Sequence, residues 1–117
     1  MIARALALVL VLTAIQLAQG IAMRFEIAPA DLARPTHIGL GVLTALVVLG
    51  LVRSMRQQKH PAAGDTTFLL ALLVFQGLTG LFILAEVEAL ALIHLVLSFF
   101  VVASAAANLI LSYISQT

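Results

Sequence analysis

The sequence predicts an all-α integral membrane protein: a four-helix bundle built from two tandem helical hairpins, with both termini on the cytoplasmic side. Composition is the first reason. Of 117 residues, 63% are hydrophobic and 9% charged, whereas soluble domains run near half and about a quarter. The few charges then leave four uncharged runs, 5–23, 35–52, 66–85 and 89–117, each close to the roughly 20 residues that a spanning helix needs. Finally, rare polar residues recur between the two halves of the chain, which marks an internal repeat.

Taken in order, helix one is expected at about 2–24, with Arg4 ahead of its apolar stretch. That layout is shared with secretory signal peptides. Because the segment is also half of an internal repeat, it is expected to be retained. Helix two, about 31–56, enters near Asp31 and closes on Arg53, Arg56 and Lys59. Helix three, about 65–85, carries "QGLTG", and helix four is expected over about 87–115. Glu86 and Glu88 end helix three and favour the positive N-terminus of helix four. The whole chain, 1–117, reads as one transmembrane domain. Basic residues gather at Arg4 and in the 53–65 loop, so the positive-inside rule sets a multi-pass protein of the cell membrane with both termini cytoplasmic.

Shifting the sequence by 60 places Gln16, Gln19 and Gly20 on Gln76, Thr79 and Gly80, and a shift of 57 places His37 on His94. Helices one and two thus read as a copy of helices three and four. Each helix also carries one stripe of small or polar residues. On helix four it is His94, Ser98, Val101, Ala105, Asn108, Ser112; on helix two it is His37, Gly41, Thr44, Val48. Helix one offers Thr13, Gln16, Gly20 and Met23, and helix three Gln76, Gly80 and Ile83. Steps of three and four keep each set on one face. In lipid such residues mark the packed side, so both histidines are expected to face the interior.

His37 lies six residues past Asp31 and His94 seven past Val87, which puts both roughly 10 Å along their helices. Two inward imidazoles at one depth on helices two and four suit the paired axial ligands of one haem iron. Gly39, Gly41 and Ser98 provide room for a flat macrocycle, and Arg24 and Arg34 are the cations in reach of its propionates, with simple snorkelling as the competing account. Gln16 and Gln76 lie deeper and read as interhelical glue. His60, in "QKHPAAGD", reads as a solvated loop residue.

Several function classes drop out. There is no cysteine, hence no disulfide, thiolate metal site, iron–sulfur cluster or covalently attached c-type haem. A net charge of +1 and the lack of extramembrane chain argue against a nucleic-acid partner. No helix has the continuous polar lining of a channel, and no Asp, Glu or Cys shares the histidines' level to complete a transition-metal site. A haem-free assembly or interaction subunit remains the alternative from another class.

"FQGLTGLFILAEVEALALIHLVLSFFVVASAAANLI" and "RPTHIGLGVLTALVVLGLVRS" resemble the third, fourth and second helices of one half of a haem A synthase. The resemblance covers nearly the whole chain as a half-length, four-helix member. It implies that His37 and His94 ligate haem, haem b in an electron-transfer cytochrome. If the chain is a half-size synthase, haem O and haem A become substrate and product, and the chain is an oxidoreductase. Arg34 stands where the family has a glutamate, Ile38 where an arginine often follows the histidine, and the outer-loop cysteine pair is absent. These departures bear on haem A synthesis rather than on haem binding. Implied partners are membrane lipid, a quinol or a haem-copper oxidase assembly partner, and a second copy, since a homodimer would restore the eight-helix arrangement.

Overall fold

The computed structural model describes residues 1–85 and 88–115. Among them there is no strand. Four helices, α1 (Ile2–Arg24), α2 (Ala30–Gln57), α3 (Ala63–Leu84) and α4 (Leu90–Ile114), form the fold, and all four are long and apolar enough to cross a membrane. The bundle measures 45 × 21 × 20 Å, longer than the hydrocarbon core of about 30 Å. Helices α2 and α3 begin one and two residues before the expected starts. Helix α4 begins at Leu90, and the expected start at 87, with Glu86, lies outside the described residues.

Each helix packs on two neighbours and not on the one diagonally across: α1 lies between α2 and α4, and α3 between the same two. The diagonal pairs are therefore α1 with α3 and α2 with α4. Their inner faces carry the stripes expected from the sequence. Thr44 and Val48 of α2 are buried, as are Ser98, Val101, Ala105, Asn108 and Ser112 of α4. Leu46, Leu49, Phe75, Phe82, Phe99 and Phe100 point outward. That distribution suits a lipid solvent, where apolar exposure costs nothing and small residues let helices approach.

Burial follows the repeat. Leu6, Val9 and Thr13 are the buried residues of α1, and Thr66, Leu69 and Leu73, each 60 positions later, are those of α3. Thr44, Val48, Leu51 and Met55 on α2 match Val101, Ala105, Asn108 and Ser112 on α4 at a shift of 57. The contents differ where the registers agree. Leu6 and Leu51 on one side correspond to Thr66 and Asn108 on the other, whose side chains bond at 2.8 Å, with Asn108 Nδ2 also donating to Ser104 O at 2.7 Å.

Two helix ends turn without glycine. After α1, Glu26 takes φ 58°, with Ile27 N bonded to Ala22 O at 2.8 Å and Glu26 N to Met23 O at 3.3 Å. After α2, Lys59 takes φ 53°, with His60 N to Met55 O at 2.8 Å and Lys59 N to Arg56 O at 3.1 Å. Both are Schellman closures, in which the left-handed residue lets two late carbonyls find amides. His60 is half-buried rather than solvated. Its Nδ1 accepts from Ala62 N at 3.2 Å, so the ring shapes the entry to α3. Pro35 sits inside α2 and deprives the Asp31 carbonyl of its helical amide, just before His37.

Candidate functional site: the paired histidines

Helices α2 and α4 bring the rings of His37 and His94 together edge-on across the diagonal of the bundle. Their ring centres are 6.2 Å apart and their planes lie at 72°. Neither ring is exposed. A glycine on the neighbouring helix flanks each ring, and the one at Gly80 is the closer. A Cβ added to Gly80 on α3 would lie 3.2 Å from His94 Cε1, and one added to Gly20 on α1 would lie 3.8 Å from His37 Cε1. Each imidazole is thus backed by a bare stretch of the neighbouring helix, and the two glycines are the pair that the 60-residue shift superposes.

His94 is held by a defined network. Its Nδ1 lies 2.9 Å from Thr79 Oγ1 and 3.0 Å from the Gln76 carbonyl, while Thr79 donates its hydroxyl proton to that same carbonyl at 2.8 Å. With the threonine proton committed, Thr79 Oγ1 faces the ring as an acceptor, so Nδ1 carries the proton. In the neutral ring the lone pair is then on Nε2. One turn on, Ser98 donates to the His94 carbonyl at 2.9 Å and receives Gln76 Nε2. The His37 side is less complete. Gln16 Oε1 lies 3.2 Å from Thr44 Oγ1, and a Cβ on Gly41 would meet Gln16 Nε2 at 3.0 Å. His37 Nδ1 and Gln19 Oε1 are buried without a hydrogen-bond partner among the described residues.

The remaining residues marked from sequence fall as follows. Gly41 and Ser98, 57 residues apart, both line the interior against a glutamine. Gly39 does not: it is exposed, and a Cβ there would meet nothing within 4 Å, so it leaves no room beside His37. Arg24 and Arg34 are exposed at the histidine end of the bundle, with no bond or ion pair among the described residues. Sequence reasoning matched Gln19 to Thr79 but missed the role of Thr79 as a contact of His94. The signal was present in the repeat, since Thr79 stands beside the glycine that backs the ring.

Among the described residues, no cluster of three or more His, Cys, Asp or Glu side chains could hold a metal on its own. A macrocyclic metal centre asks the protein for only two axial donors. The two imidazoles that could serve as such donors lie in edge-on contact, with ring centres 6.2 Å apart and planes at 72°. The Nδ1–H of His94 fits the same demand, because axial imidazoles commonly donate that second nitrogen to a protein acceptor; the Nδ1 of His37 has no such acceptor among the described residues. No protein-family model, curated protein or solved structure matches this chain.

Proposed function

We propose that the protein is a small membrane b-type cytochrome that holds one haem b per chain through His37 and His94 and passes electrons. The observation that carries this reading is the histidine pair itself, presented from diagonal helices with ring centres 6.2 Å apart. When bound, the haem supplies a one-electron couple at a saturated iron, which suits electron transfer and disfavours oxygen chemistry at that centre. The chain's part is to fix the donors. Thr79 and the Gln76 carbonyl hold the His94 tautomer, Gly80 leaves the space that the His94 ring needs beside α3, and the apolar outer surface excludes water. Arg24 and Arg34 stand at the same end as counter-charges for propionates.

The matched burial registers support a tandem duplication of a helical hairpin, and the basic α2–α3 loop supports cytoplasmic termini. Lipid-soluble quinol is the donor that the weakly charged loops favour. A half-size haem A synthase is the enzymatic variant of this reading, supported by the sequence resemblance and tested by whether co-expression with a haem O source yields haem A. The haem-free interaction subunit draws on one observation of its own: Gln76, Thr79 and Ser98 already knit His94 into α3, which interhelical glue would also do.

The deciding experiment is a dithionite-reduced minus oxidised visible spectrum of the detergent-purified protein, expressed with ample haem, beside His37→Ala and His94→Ala. A sharp low-spin b-type α band lost in either variant is the expected result. A colourless wild-type protein would sink the cytochrome reading and leave the interaction subunit in its place. Native mass in mild detergent tests the homodimer, which a fully active monomer would remove.

A further inference from the structure

The two histidines sit in equivalent frames, but only one has its second nitrogen satisfied. In the second half of the chain, Thr79 precedes the glycine that backs His94, and its Oγ1 lies 2.9 Å from His94 Nδ1. In the first half, Gln19 precedes the glycine that backs His37, and both Gln19 Oε1 and His37 Nδ1 are buried and unpartnered. A buried acceptor and a buried ring nitrogen at matching stations, each lacking what the other offers, are complementary. The threonine hydroxyl reaches its ring from a short stem. Glutamine reaches from a longer stem, with two more rotatable bonds.

The geometry points to Gln19 as the positioning residue of His37: His37 Nδ1–H donates to Gln19 Oε1, which fixes the tautomer whose Nε2 lone pair is directed to a ligand. The Gln16 carbonyl, the counterpart of the Gln76 carbonyl that His94 uses, is the rival acceptor. In its consequence for haem, this inference rests on the reading above; in its consequence for the tautomer it stands alone.

The test therefore has two arms. Nitrogen NMR of histidine-labelled, haem-free protein in detergent reads the His37 tautomer directly. Expected are an Nδ1–H form in the wild type, a mixture in Gln19→Leu, and restoration in Gln19→Thr, which copies the other half. An Nδ1–H form that is absent from the wild type or undiminished in Gln19→Leu overturns the assignment, the latter in favour of the Gln16 carbonyl. In the second arm, haemin titration should find Gln19→Leu weaker by about ten- to a hundred-fold, the usual cost of losing an outer partner of a metal ligand. Gln19→Glu should lower the midpoint potential by making the imidazole a stronger donor. Equal affinity and potential in wild type, Gln19→Leu and Gln19→Glu would also overturn it. If the wild type takes up no haemin, the cytochrome reading fails, and the tautomer arm still decides the pairing.

Discussion

The two ends of this bundle solve different problems with the same helices. Toward the α2–α3 loop, Leu6, Val9, Val48, Met55, Leu69 and Ala105 are fully buried, and both apolar core clusters lie there. Toward the other end, Gln16, Gly20, His37, Gly41, Gln76, Gly80 and His94 are only half-buried, and the contacts between helices are polar or made against bare glycine. Close packing holds the first end, since dispersion between fitted surfaces is what lipid leaves available to drive association. The second end gives up that fit in exchange for donors and room. Apolar packing and polar contacts are therefore separated along the axis.

The largest effect that would sharpen this division follows from the proposed cytochrome: His37→Ala or His94→Ala should lose haem binding with the fold preserved. Chemical unfolding in detergent should move by no more than about 2 kcal/mol, the ceiling for interhelical hydrogen bonds in lipid; collapse of the bundle would break the comparison. Next comes Leu69→Ala, which should cost roughly 1–3 kcal/mol. That is below the 2–5 kcal/mol seen in water-soluble cores, because the unfolded helix still sits in lipid and only the cavity term remains. Its haem content per folded molecule should not change.

Smaller is the contrast between two glycines. Gly80→Ala places a methyl 3.2 Å from His94 Cε1 and should weaken haemin binding several-fold, whereas Gly39→Ala meets open space and should raise helix stability by about 0.5–1 kcal/mol with binding intact. Equal binding in the two variants would remove the claim that Gly80 makes room for the ring. The smallest expected effect is that of Thr66→Val, which loses the bond to Asn108 for about 0.6 kcal/mol, read in the same unfolding assay and with no spectral change.

How much of this was legible in the sequence depended on residue type. Ser98, Asn108 and Ser112 could be put on the inner face because a polar residue in lipid has reason to be only there. Leu6, Val9 and Leu69 could not, because a leucine facing lipid and a leucine facing a helix have the same hydropathy. The end of helix one was expected at 24, where it falls, and that of helix two one residue early, but the left-handed turns at Glu26 and Lys59 were not announced, since neither carries the usual glycine or asparagine. The opposition of His37 and His94 was readable from depth and face. The bond from His94 to Thr79 was not, because it depends on side-chain rotamers and on how close α3 comes at Gly80.

The division of the histidines between α2 and α4 also imposes a schedule. Helices enter the membrane as they are synthesised, and when α2 has been laid down only one imidazole is present. The second arrives with the last helix of the four. Until then the polar lining of α1 and α2 has only itself to close against, Gln16 with Thr44 and Gly20 with His37. On the proposed cytochrome reading, capture of haem by both rings is thereby reserved for molecules in which α4 is in place.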